Sequence, residues 1–289
     1  MDRATKRVTV PALSEMKSAG EKIAMLTAYD YPTARLLDRA GADVILVGDT
    51  LGMVVLGYDS TVPVTLEDMI HHVKPVVRGT ERALVVGDLP FGSYNEGPAQ
   101  AVRSATRLIK EGGCAAVKLE GGAEVAAQVR AVARAGIPVM GHVGLMPQSA
   151  AKVGGFRVQA KTAEEARHLV EAGRSLEEAG AFALVVEAVP APVGEVFSRS
   201  LSVPVVGIGA GAGCDGQVLV TPDMLGLGEL WPRYLKRYAD LAGTIVDAAA
   251  TYVSEVKGGS FPDEEHGYPM DGDEEARLRS GSAEEARRR

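Results

Sequence analysis

Acidic side chains follow several short apolar runs of this sequence, at the positions where predicted strands end. Asp49, Asp88 and Glu120 each come directly after such a run. Three carboxylates gathered in a partly dry site would repel one another, and a divalent cation removes that repulsion. Ligands that are all oxygen atoms favour a hard ion. The pattern therefore predicts a site for Mg²⁺, with Mn²⁺ as the alternative, held by these three acids directly or through water.

Three further polar residues lie at predicted strand ends. Lys118 precedes Glu120 by two residues, so strand alternation places both on one face. His142 follows the fifth run, and Glu187 follows the sixth among apolar neighbours that would desolvate it, as suits a proton acceptor. Each residue also has a simpler interpretation: an Asp or Glu that caps a helix, a surface lysine, or a structural histidine.

The elements that position these residues repeat along the chain. Eight apolar runs without polar alternation are typical of strands buried on both faces, and helical segments separate most of them. Eight such units predict an α/β protein, a single-domain (β/α)8 TIM barrel, whose active site lies at the C-terminal ends of the strands. The runs are Ile23–Ala28, Asp43–Gly48, Ala83–Gly87, Ala115–Leu119, Ile137–Gly141, Ala181–Val186, Val203–Ile208 and, less clearly, Val218–Thr221.

Helix signals support this order. Four helices are predicted. The first starts after Thr65 and ends near Val77, and the second spans Pro98–Lys110. The third follows a capping box at Thr162–Glu165, and the fourth spans Arg233–Val256 with an apolar stripe. A short helix over Val10–Ser18 is expected to cap the N-terminal end of the barrel. Residues 209–228 lack a convincing seventh helix. The catalytic domain is predicted to cover residues 1–266, and the charged tail 267–289 is predicted to be disordered.

A glycine-rich segment, Gly207–Gly213, follows the seventh run. Barrels commonly bind phosphate at this position. The alternative is a loop that needs glycine for backbone geometry or close packing. No long helix follows the segment, which argues against a dinucleotide-binding motif.

Composition narrows the function classes. The chain has 289 residues and a net charge of −7, which disfavours a general nucleic-acid binder. Cys114 and Cys214 are far apart, which disfavours a zinc cluster or a disulfide framework. The N-terminal residues do not form a secretory signal, and no apolar stretch reaches the roughly 18 residues of a membrane span. A cytoplasmic enzyme acting on small molecules is expected.

Seven segments together resemble the 3-methyl-2-oxobutanoate hydroxymethyltransferase family, also called ketopantoate hydroxymethyltransferase. The similarity runs in order from about Val8 to His266, and Phe261–His266 also looks like the C-terminal stretch of that family. The segments are Val47-Gly-Asp-Thr-Leu-Gly-Met53, Gly57-Tyr-Asp-Ser-Thr61, Val86-Gly-Asp-Leu-Pro-Phe91, Val117-Lys-Leu-Glu-Gly-Gly122, Gly141-His-Val-Gly-Leu-Met-Pro-Gln-Ser149, Gly154-Gly-Phe156 and Val206-Gly-Ile-Gly-Ala-Gly211.

The resemblance implies a (β/α)8 barrel, Mg²⁺, 5,10-methylenetetrahydrofolate as one-carbon donor and 3-methyl-2-oxobutanoate as acceptor, in pantothenate and coenzyme A biosynthesis. It also implies a homodecamer. By this similarity Asp49 and Asp88 contact the metal and the oxo acid, Glu120 belongs to the metal shell, Lys118 contacts the substrate, Glu187 is the proton acceptor and His142 lies in the pocket. Thr50 stands where the family usually has Ser, and its hydroxyl can still bind substrate.

Two other functions fit the same pattern. One is a Mg²⁺-dependent carbon–carbon lyase or phosphonomutase of the phosphoenolpyruvate type. The lyases of that type commonly carry a reactive cysteine on a flexible loop, whereas Cys114 precedes a predicted strand, at its opposite end. The other is a ligand-binding barrel without catalysis, against which the full set of acids, Lys118 and Glu187 argues.

Overall fold

The computed structural model describes residues 6–228 and 232–286. The chain separates into two compact units, Met1–Ala239 and Asp240–Arg289. In the described part of the chain, no helix is long and apolar enough to cross a membrane.

The first unit contains a closed barrel of eight parallel strands in sequence order, in which the last strand pairs with the first. This confirms the predicted (β/α)8 architecture, and every strand overlaps the apolar run that predicted it. β2, β3 and β4 are buried at every position because they face the barrel interior on one side and helices on the other. The strands are β1 (Ile23–Thr27), β2 (Val44–Val47), β3 (Leu84–Asp88), β4 (Ala116–Glu120), β5 (Val139–Gly144), β6 (Ala183–Glu187), β7 (Val205–Ile208) and β8 (Gly216–Leu219).

Helices follow most of the strands, and two of them begin with capping boxes, of which the one at Thr162 was predicted as such. The Thr65 hydroxyl accepts a hydrogen bond from Asp68 N at 3.1 Å, and the Asp68 carboxylate accepts one from Thr65 N at 2.9 Å. Thr162 and Glu165 form the same reciprocal pair. The helices of this unit are α1 (Val10–Ala19), α2 (Tyr31–Ala40), α3 (Leu51–Val54), α4 (Leu66–Gly79), α5 (Pro98–Arg107, extended by a π-helical turn over Leu108–Gly112), α6 (Ala126–Arg134), α7 (Ala163–Glu178), α8 (Ala191–Arg199) and α9 (Thr221–Met224).

α1 closes the N-terminal end of the barrel, as predicted. Leu13 is fully buried among side chains of the barrel interior, including Ile23 and Met25 of β1. The Lys17 ammonium donates hydrogen bonds to Ser198 O at 2.9 Å, to Val203 O at 3.0 Å and to the Asp215 carboxylate at 2.8 Å. The first helix is therefore bound to the chain on either side of β7.

Among the described residues between β8 and residue 240, the structure contains one short helix, α9. The sequence between residues 209 and 228 indeed offered no long helix. The next helix, α10 (Leu241–Gly258), begins at Leu241 rather than at the predicted Arg233, and residues 235–240 are not helical. None of its residues is buried, although its sequence carries an apolar stripe.

The second unit also contains α11 (Gly272–Ala286), in the tail that was predicted to be disordered. The prediction of disorder relied on the lack of an apolar stripe, and for the tail in solution it stays a prediction. Local electrostatics favour the helix: three acids occupy its first turn, and Arg277 pairs with Glu274 at 2.7 Å while Arg279 pairs with Glu275 at 2.6 Å. Whether the catalytic domain extends to residue 266 stays a prediction.

Candidate active site

One cavity of about 1380 Å³ opens at the C-terminal ends of the strands. All seven residues predicted for the site line it: Asp49, Thr50, Asp88, Lys118, Glu120, His142 and Glu187. Five of them are at most 5% exposed, and the Glu187 side chain is 12% exposed. A shared cavity of buried charged groups argues against the simpler interpretation of isolated capping acids and surface lysines.

Strand register explains how the charged groups meet. Asp88 of β3 is the register partner of Lys118 of β4, and Glu120 of β4 is the partner of His142 of β5. Register partners on neighbouring strands project to the same face of a sheet. The barrel therefore brings an acid beside a base twice in succession along its inner rim.

Lys118 is the cation nearest to the two aspartates. Its ammonium lies 3.1 Å from Asp88 Oδ1, and the other Asp88 oxygen accepts a hydrogen bond from Asp49 N at 3.1 Å. Burial lowers the pKa of Lys118, but the carboxylates of Asp88, Glu120 and Asp49 raise it by more, so the amine is held in its charged form.

His142 lies between two glutamates. Its Nδ1 is 3.3 Å from Glu120 Oε1, and its Nε2 is 3.2 Å from Glu187 Oε2. The contact of Nε2 with Glu187 does not have hydrogen-bond geometry. Burial and the nearby Lys118 lower the pKa of His142, whereas the adjacent carboxylates of Glu120 and Glu187 raise it, with a net rise to about 9. The ring is therefore an imidazolium at neutral pH, and it connects the acid of β4 to the acid of β6.

The charged forms of the two aspartates are destabilised in this site. Burial, followed by the charges of Asp88 and Glu120, raises the pKa of Asp49 well above its usual range. Burial also raises the pKa of Asp88, against the opposing effect of Lys118. Two buried carboxylates with raised pKa values indicate a place where additional positive charge would be stabilising.

The free donor atoms test whether Mg²⁺ fits here. In residues 6–228 and 232–286, Asp49 Oδ1 receives no hydrogen bond, and Asp88 Oδ1 contacts Lys118 without hydrogen-bond geometry. Two hard oxygen atoms from adjacent strands, with room for water and substrate, suit this ion. The same residues contain no group of three or more His, Cys, Asp or Glu arranged to hold a metal.

The Glu120 carboxylate contacts Gln148 and His142, which explains why it does not join the two aspartates as a third metal ligand. Its Oε2 accepts a hydrogen bond from Gln148 N at 3.1 Å, and its Oε1 faces His142. These contacts lower its pKa despite burial, so it remains charged at the edge of the aspartate pair. The assignment of Glu120 to the metal shell stays a prediction, and its contacts favour a role through water or through its neighbours.

Sequence reasoning assigned no role to two polar residues of the site. Gln148, which is 6% exposed, donates from Nε2 to Asp49 Oδ2 at 2.8 Å and to Leu89 O at 3.0 Å. Tyr94, in the loop after β3, donates its hydroxyl to Gln148 Oε1 at 2.6 Å. Gln148 lies in the 3-10 segment Pro147–Val153, beyond the end of β5, so it is not among the polar residues at the strand ends that the sequence pattern identifies.

The glycine-rich segment after β7 is explained by packing. A Cβ atom at Gly211 would lie 2.4 Å from the Cβ of Ala191, and one at Gly213 would lie 2.6 Å from the Cβ of Glu195. Both neighbours belong to α8, and Gly211 also has a positive φ of 81°. The close-packing interpretation therefore accounts for these glycines without a phosphate.

The cysteines take no part in the cavity. Cys114 is buried beside the N-terminal end of β4, opposite the site, and burial raises its thiol pKa to about 12. Cys214 is also a buried free thiol, and burial raises its pKa to about 11. Neither has the exposed, acidic thiol expected of a reactive cysteine.

Solved structures with a similar fold are distant in sequence. A phosphonopyruvate hydrolase superimposes with a TM-score of 0.58 at 14% identity, covering 96% of each chain. A phosphoenolpyruvate phosphomutase from Streptomyces platensis subsp. rosaceus gives a TM-score of 0.55 at 18% identity, covering 95% of this chain and 98% of that one. At such identities the likeness shows the barrel fold alone.

Sequence relatives are much more similar. The 3-methyl-2-oxobutanoate hydroxymethyltransferase of Moorella thermoacetica is 57% identical, over 91% of this chain and 98% of its own length. The enzyme of that name from Heliobacterium modesticaldum is 54% identical, over 92% of this chain and 97% of its own. The profile of the ketopantoate hydroxymethyltransferase family matches residues 7–264. This chain therefore belongs to the ketopantoate hydroxymethyltransferase family.

Proposed function

We propose that this enzyme transfers a hydroxymethyl group from 5,10-methylenetetrahydrofolate to C3 of 3-methyl-2-oxobutanoate, giving 2-dehydropantoate. One arrangement carries the proposal: a buried ammonium beside two aspartates, and a glutamate bound to an imidazolium, all in one cavity. It supplies positive charge for an oxo acid and a carboxylate for its C3 proton. The high identity to relatives of that name supports the choice of substrates.

The net reaction consumes one molecule of water. The C3–H bond of the oxo acid breaks, and its electron pair forms a new C–C bond to the donor's methylene carbon. Both C–N bonds between that carbon and tetrahydrofolate break. Water supplies the hydroxyl oxygen, and the two folate nitrogen atoms receive the protons released from C3 and from water.

Glu187 is the proton acceptor in this proposal. Its carboxylate lies at the end of β6 in the cavity, with Oε2 3.2 Å from His142 Nε2. The imidazolium orients the carboxylate and stabilises its charge, and its pairing with Glu120 keeps the ring in place. A positioned carboxylate contributes about 10²–10⁴-fold to such proton transfer.

Lys118, Asp49 and Asp88 act at the other end of the substrate. The Lys118 ammonium stabilises the oxo oxygen as it gains negative charge. Asp49 and Asp88 would hold Mg²⁺ through their oxygen atoms that lack hydrogen bonds, and the ion would supply Lewis acidity toward the oxo acid. Thr50, which lines the cavity and is only partly buried, places a hydroxyl within the same space.

Proton exchange tests the proposal directly. Incubation of 3-methyl-2-oxobutanoate with the enzyme in D₂O is expected to remove the C3 proton signal in NMR spectra, even without folate. Mg²⁺ should accelerate this loss, and addition of 5,10-methylenetetrahydrofolate should give 2-dehydropantoate. No exchange and no product with Mg²⁺ present would disprove the assignment.

Resemblance to the family supports three further parts of the proposal. They are a homodecamer, a cytoplasmic location, and a catalytic domain that extends from residue 1 to residue 266. Light scattering coupled to size-exclusion chromatography tests the first. Expression of a chain that ends at His266, followed by the exchange assay, tests the last.

A further inference from the structure

Gln148 joins both halves of the site. Its side-chain amide donates to the Asp49 carboxylate at 2.8 Å, and its backbone N–H donates to Glu120 Oε2 at 3.1 Å. One residue thus contacts the acid that follows β2 and the acid that ends β4. Through Glu120 and His142 the same chain of contacts reaches Glu187.

The orientation of this amide is determined by its partners. The NH₂ group faces two acceptors, Asp49 Oδ2 and Leu89 O. The carbonyl Oε1 receives the hydroxyl of Tyr94 at 2.6 Å. A flipped amide would place a carbonyl oxygen against both acceptors and leave the NH₂ group facing the hydroxyl, so the observed orientation is the satisfied one.

We propose that Gln148 is a positioning residue that holds the Asp49 carboxylate with Oδ2 occupied and Oδ1 free to bind a divalent cation. This inference rests on the proposed function of the site. Asp49 is buried, and its backbone N–H donates to Asp88 Oδ2 at 3.1 Å, so the two aspartates are close together. A carboxylate without a donor at one oxygen atom could rotate and exchange its two oxygen atoms. The amide donor opposes this rotation because it binds Oδ2 alone.

Tyr94 supports Gln148 from behind. Its hydroxyl lies 2.6 Å from Gln148 Oε1 and 3.0 Å from Glu120 O, and it has only one proton to donate. The shorter distance favours the amide as its acceptor. Loss of this hydroxyl would leave both N–H bonds of Gln148 intact but remove the contact that sets the rotation of the amide.

The main test replaces Gln148 with methionine, which has a similar length and no donor. The backbone bond to Glu120 is retained, whereas the side-chain hydrogen bonds with Asp49, Leu89 O and the Tyr94 hydroxyl are lost. Residues that orient a metal ligand typically change metal affinity by about 10–100-fold when they are replaced. Titration calorimetry of the metal-free protein with Mg²⁺ is expected to show that increase in Kd for Gln148→Met. Tyr94→Phe should show a smaller increase, below about 10-fold.

A matched control exists on the outside of the barrel. Gln128 in α6 is also buried, with 9% exposure, and it does not line the cavity. Gln128→Met makes the same chemical change away from the acids, and its Mg²⁺ affinity should equal that of the wild type. Its unfolding temperature measures the general effect of replacing a buried glutamine.

Kinetics separate positioning from a structural defect. At saturating Mg²⁺ the proton exchange rate of Gln148→Met should recover to within about 10-fold of wild type, because the site is then reoccupied by mass action.

A folded Gln148→Met protein with wild-type Mg²⁺ affinity would overturn the inference while leaving the proposed function in place. A wild-type protein that neither binds Mg²⁺ nor exchanges the C3 proton would instead refute the proposed function, and this inference with it. Should Gln148→Met fail to fold, unchanged affinity in Tyr94→Phe would overturn the inference.

Discussion

The Glu187 carboxylate lies 3.2 Å from Nε2 of His142, across the gap between β6 and β5. The pair is separated by 45 positions in sequence and has no shared local motif, yet in the proposed mechanism it forms the proton acceptor and its positioning partner. Glu187→Gln keeps the shape of the side chain but removes its basicity. We expect kcat to fall by about 10²–10⁴-fold, with C3 proton exchange reduced in parallel.

The control for Glu187→Gln is the unfolding temperature. The exchange rate should fall without a large change in that temperature, because the Glu187 side chain, at 12% exposed, is the least buried of the ion-paired side chains in the site. Exchange at nearly the wild-type rate in the variant would remove Glu187 from the role of proton acceptor.

Lys118→Met should destabilise the metal-free protein. The substitution leaves Asp88 buried without the ammonium that lies 3.1 Å away. Removal of one partner from a buried ion pair typically costs about 3–5 kcal/mol of unfolding free energy. Urea titration measures the loss, and Mg²⁺ should restore part of it because the ion supplies the missing positive charge. A loss below about 1 kcal/mol would contradict the importance of this pair.

Asp49→Asn should have opposite effects on stability and on metal binding. The pKa of Asp49 is raised chiefly by burial and then by Asp88 and Glu120, so its charge destabilises the metal-free fold at neutral pH. The neutral amide removes that repulsion, and the unfolding temperature without metal should rise. Mg²⁺ affinity, measured by calorimetry, should fall by at least about 10-fold. Unchanged affinity would exclude Asp49 as a ligand.

Glu177 at the end of α7 gives a pH-dependent prediction outside the site. Its carboxylate accepts hydrogen bonds from Ser202 N at 2.7 Å and from Val203 N at 3.1 Å. Burial raises the pKa of Glu177, but the bonds from Ser202 and Val203 lower it by more, so the net shift is downward from 4.5. A lowered pKa stabilises the fold above pH 4.5, and this contribution is lost as the pH falls through the folded-state value.

Glu177→Gln should therefore be less stable than the wild type by roughly 1 kcal/mol at pH 7, since the amide keeps an acceptor but loses its charge. The difference should shrink as the pH is lowered below about 4.5. Thermal unfolding across that range measures it. A difference that stays constant down to pH 3 would show that the charge does not matter.

The barrel and the position of its mouth could be predicted because parallel strands buried on both faces appear in the sequence as runs of apolar residues. β2 and β3 are apolar up to their ends, Lys118 alone interrupts the apolar residues of β4, and Asp49, Asp88 and Glu120 follow or end these strands. The contacts within the mouth could not be predicted, since they depend on register and on side-chain rotation. That Glu120 turns to His142 and Gln148, rather than joining the two aspartates, is visible only in three dimensions.

Other differences have local causes. Gln148 escaped notice because it belongs to a 3-10 segment with no periodic pattern, and its role comes from partners 99 and 28 positions away in sequence. α11 was missed because a helix held by Arg–Glu pairs has no apolar stripe to detect. α10 begins at Leu241 rather than Arg233, and the apolar spacing before Asp240 did not reveal this boundary.

The contact of Lys17 with Ser198, Val203 and Asp215 has a consequence for how the chain is made. Its carbonyl and carboxylate partners are synthesised roughly 180 to 200 residues after it. Until then Leu13 has no completed interior to enter, and this apolar side chain of the nascent polypeptide remains exposed. Ring closure between the first strand and the last is a long-range event, and such pairings form slowly. The earliest helix to leave the ribosome is thus among the last to reach its native environment.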